Sequence, residues 1–352
     1  MYVVLTGCTS DIIGDDVGSV TSGYQGEDRP IVYAETGGFK SNNYVSHETV
    51  VKAIIEQYTD KFREDGDGVI PGLVNVFATV PYQDPYWNGN LAELKRILEG
   101  IGLTVNILFG QDSEGLPEWR RIPAAQFNIL ANAWVGLEIV EMLQEKYGTP
   151  YFHFPYLPVG GAETSRFLRQ TGEFAGLPRE QVERFVRREE QRFYAHIERT
   201  ADFMLEFRYG LPQRFYSLLD AGYAIGLSKF LLNELGIIPA RQYIVDDTPE
   251  RFQETVADQF RRISPWRQAE VFFQPDAGAI HQEIRSFAGK KPRALILGSG
   301  WERDLAAELE ADLLTVSVPV TYRLVLNCGY AGYLGGLRLI EDIYDRVLNT
   351  YR

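Results

Sequence analysis

The stretch "RALILGSGWERDLAAELEAD", residues 293–312, carries the decision about the fold. An apolar run of strand type stops at Gly298-Ser299-Gly300, and a helical stretch follows. The same unit recurs in both directions from it. "QRFYSLLDAGYAIGLSKFLLNELG", residues 213–236, again reads strand, turn, helix. "ARQYIVDD" and "AEVFFQ" are strands, "IHQEIRSFAG" a helix, "LLTVSVPV" a buried strand, and "AGYLGGLRLIEDIYDRVLNTY" a closing helix.

Upstream the pattern continues. "LVNVFATV", "TVNILFG" and "AAQFNILAN" feed strands, with the amphipathic helix "NLAELKRILEGIG" (Leu91, Leu94, Ile97, Leu98 on one face) between the first two. "WVGLEIVEMLQEKYG" is a helix and "TPYFHFP" the next strand. Residues 161–207 read as mostly helical, and their charged run from Arg179 reads as a solvated face. At the N-terminus "MYVVLTG" and "RPIVYAET" are strands, and "SHETVVKAIIEQYTDKF" is a helix with Ser46 as its N-cap. "DGDGVIPG", residues 65–72, reads as a boundary loop. Alternating strands and helices predict an α/β fold of repeated Rossmann-like parallel sheets.

At 352 residues the chain exceeds what one core usually serves. The formal charge of −13 disfavours nucleic acid as a partner. No apolar run reaches the roughly eighteen residues of a membrane span, and the N-terminus lacks the basic region of a signal peptide, so a cytoplasmic protein is expected. Two cysteines, Cys8 and Cys328, rule against a disulfide framework. His47, His153, His196 and His281 are scattered without zinc-like spacing.

Ligands in such sheets sit beyond the carboxyl ends of strands. Three loops qualify: the turn at Cys8, Asp220-Ala221-Gly222, and Gly298-Ser299-Gly300. The last lacks the third glycine of a dinucleotide fingerprint, with Arg303 in its place. No Walker lysine motif is present either, so a tight turn into a helix is the better reading and no nucleotide is expected on this chain. Cys8 follows a strand at a turn into a helix, where a thiolate can be stabilised as a nucleophile or metal ligand. A free cysteine is as often a small buried packing residue, and the residues alone leave both readings open.

The stretch "LTGCTSDIIGDDVGSV", residues 5–20, resembles a cluster-cysteine motif of nitrogenase component 1, in which a strand and a Cys precede an Ile-Gly-Asp-Asp turn. Here these are Cys8 and Ile13-Gly14-Asp15-Asp16. "ETGGFKSNN", "NGNLAELKRILEGIGL", the segment from Asn128 to Gly176 with its Glu145-Lys146-Tyr147-Gly148 turn, "AGYAIGLSKFLLNELGIIP" and "VSVPVTYRLVLNCGYAGYLGGLRLIEDI" resemble the same family in the same order. The resemblance implies a component 1 fold in three parts. These are a remnant of the N-terminal cluster-binding α/β domain (1–70), a central Rossmann-like domain with crossover helices (71–207), and a C-terminal Rossmann-like domain (208–352).

The family's upstream cluster cysteines have no counterpart after Met1, which implies a shortened member or a fragment. At the place of the family's cofactor cysteine stands Asn132, and no histidine lies near Tyr330-Ala331-Gly332. The resemblance therefore implies a β-like chain. It would hold or flank an iron–sulfur centre (P-cluster-like or 4Fe-4S) through Cys8, with Ser41 as an oxygen neighbour and Cys328 as a packing residue. An α-like chain would complete the cluster, and an ATP-dependent iron protein would supply electrons for dinitrogen reduction. A tetrapyrrole or sulfur-compound reductase, a cofactor-assembly scaffold, and a cluster-free structural relative are the alternatives.

Overall fold

A computed structural model describes residues 1–24, 29–62, 68–207, 210–288 and 293–350. In chain order it opens with β1 (Tyr2–Leu5), α1 (Cys8–Ile13), α2 (Val17–Ser22), β2 (Ile31–Ala34) and α3 (Asn43–Ile54). A π-helical turn (Ile55–Thr59) and α4 (Asp60–Phe62) follow. Next come β3 (Ile70–Phe77), α5 (Trp87–Gly100), β4 (Thr104–Asn106), α6 (Leu116–Arg121), β5 (Ala125–Leu130), α7 (Leu137–Tyr147) and β6 (Tyr151–His153). Two long helices, α8 (Gly160–Phe174) and α9 (Arg179–Phe207), lead on. The chain ends with β7 (Arg214–Leu219), α10 (Ala221–Asn233), β8 (Ile238–Ile244), α11 (Glu250–Arg261), β9 (Glu270–Phe273), α12 (Ala277–Ala288), β10 (Leu295–Gly298), α13 (Arg303–Glu308), β11 (Asp312–Thr315) and α14 (Gly332–Thr350).

The strands form three parallel sheets: β1-β2, β4-β3-β5-β6 and β11-β10-β7-β8-β9. In the last, order reverses between β7 and β10, and the crevice of a doubly wound sheet lies beyond the carboxyl ends at that point. The chain groups into two compact units. One holds residues 1–80, 103–130 and 135–153, the other residues 81–102, 131–134 and 154–352. The core of the first is built on Val32, Val51, Ile54, Ile55, Phe77, Leu130, Ile139 and Leu143. In the second, Tyr216, Leu218, Tyr243, Ile280, Ile284 and Ile296 pack together between sheet and helices. Helix α10 is buried from Ala221 to Leu232, as its all-round apolar sequence requires. Leu91, Leu94, Ile97 and Leu98 of α5 are all buried, the face read from their spacing.

Several local readings change. The N-cap of α3 is Asn42, whose carboxamide oxygen accepts from the amides of Tyr44 and Val45; Ser46 lies a turn inside the helix. The charged run of α9 is not a solvated face throughout, because Glu189 is buried and paired with Arg96 at 2.8 Å while Val182, Phe185, Val186 and Phe193 fill the interior. Helix α11 presents only Val256 and Phe260 inward. Of the boundary loop at 65–72, residues 65–67 lie outside the described residues, and Ile70 already belongs to β3. The boundary after 207 also meets residues outside them, 208 and 209.

Candidate functional site

Cys8 is the first residue of α1, two residues beyond β1, and is exposed. It belongs to a pair of turns stitched across the carboxyl ends of β1 and β2. The amide of Thr36 donates to Thr6 Oγ1 at 3.0 Å, and the hydroxyl of Thr36 donates to the Thr6 carbonyl at 2.9 Å. One turn further, the Gly37 amide donates to Asp11 Oδ2 at 3.1 Å. The next amide, that of Gly38, donates to Cys8 Sγ at 3.1 Å. A hydrogen bond to sulfur of this kind favours the thiolate. Lys40 Nζ lies 3.1 Å from Asp11 Oδ2 and 2.7 Å from Glu35. The Thr6 hydroxyl first, then Lys40 and the Gly37 amide, hold the Asp11 carboxyl below its ordinary range.

Ser41 lies on the same loop, where its hydroxyl pairs with that of Ser46 at 2.9 Å. Around Cys8 the surface is apolar: Tyr2 and Leu5 of β1, Ile12 and Ile13 of α1, and Phe39 are all exposed. Among the described residues no three His, Cys, Asp or Glu side chains are grouped to hold a metal ion. The donors around Cys8 thus fit one corner of an iron–sulfur cluster, whose other ligands would have to come from elsewhere.

Cys328 sits in a different setting. Its backbone packs against Gly89 so closely that a Cβ there would lie 2.3 Å from the Cys328 carbonyl carbon. Its sulfur is 3.6 Å from Arg323, which is itself paired with the buried Asp342.

The loop at Asp220 leads into a network not foreseen from the sequence. Asp220 caps α10 by accepting from the Tyr223 amide at 3.0 Å. Asp246, after β8, accepts from the Ala221 amide at 2.9 Å and from Trp134 Nε1 at 3.0 Å. Asp84 accepts from the Tyr86 amide and from Asn90 Nδ2, each at 2.8 Å, and from the Tyr223 hydroxyl at 3.0 Å. Burial raises all three carboxyls, Asp84 to about 6 and Asp220 to about 7, the latter also through the charge of Asp246. Asn132 lies beside this network, its carboxamide nitrogen within 3.2 Å of where a Cβ on Gly222 would stand. The only advance signal was position, since Asp220 and Asp246 each follow a buried strand.

At Gly298-Ser299-Gly300 the loop closes on its own acid. Glu302 accepts from the Ser299 amide at 2.6 Å and from the Ser299 hydroxyl at 2.8 Å, and His281 Nε2 lies 3.0 Å from its other oxygen. A Cβ on Gly298 would stand 2.6 Å from that carboxylate. Glu302 therefore occupies the amides that a phosphate would need, as a capping box. His47 is buried against Phe109, and burial lowers it to about 4.

The model of the family "nitrogenase component 1 type oxidoreductase" matches residues 1–348. The chain belongs to that family. Among nitrogenase component 1 proteins it is 26% identical over 364 residues to a subunit of the light-independent protochlorophyllide reductase of Synechocystis sp., covering 100% of this chain and 67% of that protein. It is 25% identical to the nitrogenase molybdenum-iron protein beta chain of Methanococcus maripaludis, covering 99% and 76%. The solved structure "Nitrogenase Cp1 at pH 6.5" superimposes with a TM-score of 0.75 at 19% identity, covering 99% of this chain and 75% of that one. The chain thus spans about two thirds of the length of its protochlorophyllide reductase relatives and shares the component 1 fold of parallel α/β sheets.

Proposed function

We propose that this chain is the β-like subunit of a nitrogenase-type oxidoreductase and lends Cys8 to an iron–sulfur electron-transfer cluster that an α-like partner chain completes. One observation carries the reading: an exposed cysteine sulfur, held by a backbone N–H, in the middle of an uncovered apolar surface. A lone surface thiol gains nothing from such a collar, whereas a sulfur buried on assembly does. When bound, the cluster supplies one-electron transfer toward a substrate site on the partner.

This chain's own share is to orient the sulfur through Gly38 and to exclude water through Leu5, Ile12 and Phe39. An ATP-dependent iron protein is the electron donor in this reading. Asn132 and the hydrogen-bonded acids around it leave this chain without the family's cofactor cysteine, so substrate chemistry lies on the partner. Dinitrogen is the substrate in the first form of the proposal. A tetrapyrrole is the substrate in the second, which the protochlorophyllide reductase relatives favour.

The test is co-expression with an α-like chain from the same source. Cys8→Ala should lose cluster iron and its low-temperature paramagnetic signal, while Cys328→Ala keeps both. Equal iron in wild type and Cys8→Ala refutes the ligand assignment and leaves a cluster-free relative. Turnover of dinitrogen against protochlorophyllide by the loaded complex separates the two substrates.

A further inference from the structure

We propose that Asp11 is a positioning residue for the Cys8 sulfur: its carboxylate fixes the Gly37-Gly38 turn so that the Gly38 N–H points at Sγ. This deepens the reading of Cys8 as a thiolate ligand and rests on it. Asp11 lies one helical turn beyond Gly7, its amide bonded to the Gly7 carbonyl at 3.2 Å, so its side chain moves with the start of α1 and with Cys8. Its Oδ2 takes the Gly37 amide and the Lys40 ammonium, both at 3.1 Å, and the Lys40 amide closes the turn on the Gly37 carbonyl at 2.8 Å. Gly38, between them, is left with its N–H directed to sulfur at 3.1 Å.

The fit requires glycine. A Cβ on Gly37 would stand 2.4 Å from Asp11 Oδ2, so any side chain there would push the carboxylate off the turn. The paired threonines hold the strand ends together but reach only to Thr36; Asp11 is the tie nearest the sulfur. A carboxylate beside a thiol would by charge alone disfavour the thiolate. Through the Gly38 amide it favours the thiolate, and the two effects have opposite signs.

That opposition makes the proposal testable on the full-length, metal-free chain carrying Cys328→Ala, so that Cys8 is the sole thiol. The thiolate fraction at pH 7.5 is read from ultraviolet absorbance and from the rate of iodoacetamide alkylation. Asp11→Ala releases the turn, and thiolate should fall about fivefold, the effect of losing one hydrogen bond to a charged acceptor. Asp11→Asn keeps an oxygen for the Gly37 amide and removes the charge, and should match or exceed wild type. Circular dichroism confirms that each variant is folded. Faster alkylation in Asp11→Ala means Asp11 acts only by charge, and an equal loss in Asp11→Asn means the Lys40 ion pair does the holding; either overturns the proposal. The readout needs no cluster, so it stands or falls separately from the iron content of Cys8→Ala.

Discussion

Replacing Asp220 by asparagine should stabilise the chain, and more at alkaline pH than at acid pH. Asp220 is buried at the N-cap of α10, with Asp246 and Asp84 as neighbouring acids and Tyr223 as the residue it caps. Its carboxyl is raised from 3.8 to about 7 by burial first and by the Asp246 charge second. A carboxyl raised on folding binds its proton more tightly in the native state. Its contribution to stability is therefore whole below the unfolded value, near 4, and is lost as pH climbs through about 7.

At about 1.4 kcal/mol per pH unit, the loss accumulated between pH 5 and pH 8 is about 2–3 kcal/mol. Asn keeps an oxygen for the Tyr223 amide and does not ionise. Urea unfolding of wild type and Asp220→Asn at both pH values gives the comparison. The advantage of the variant should be about 2–3 kcal/mol larger at pH 8. An advantage independent of pH, or one larger at pH 5, refutes the argument that Asp220 is held against ionisation by its surroundings.

Gly89→Ala should destabilise the fold by about 3 kcal/mol or more in urea unfolding, because the new Cβ meets the backbone of Cys328 and Gly329 rather than a side chain that can turn away. Calorimetric titration with NAD or ATP should show no stoichiometric binding, since Glu302 already takes the Ser299 amide and hydroxyl; tight binding would show that the carboxylate swings out.

Strand and helix placement is legible in the sequence because its causes are local. Leu91, Leu94, Ile97 and Leu98 share a face by spacing alone, and α10 can only be interior because no side of it is polar. Arg303 in place of a third glycine already points to a tight turn, and the Glu302 capping box is the physical form of that turn. The N-cap of α3 falls at Asn42 rather than Ser46 because Asn42, Ser46 and the residues between offer several short polar side chains, and the backbone direction selects among them. Glu189 reads as solvated in sequence because a charge pattern on one helix says nothing of Arg96 on another.

What the sequence by itself determined is the alternation of strands and helices, the parallel α/β class, and the singular setting of Cys8 between a strand and an Ile-Gly-Asp-Asp turn. Each is a matter of neighbours in the chain. Tertiary structure alone decided that Gly38 donates to Cys8 from 30 residues away, and that Asp11 holds the turn that makes it do so. It alone brought Asp84, Asp220 and Asp246 into one buried network, with Tyr223 linked to Asp84 across 139 residues of sequence. The reason is physical. A backbone amide has no sequence signature and a carboxyl's pKa belongs to its surroundings, so both exist only once strand ends distant in the chain are brought side by side.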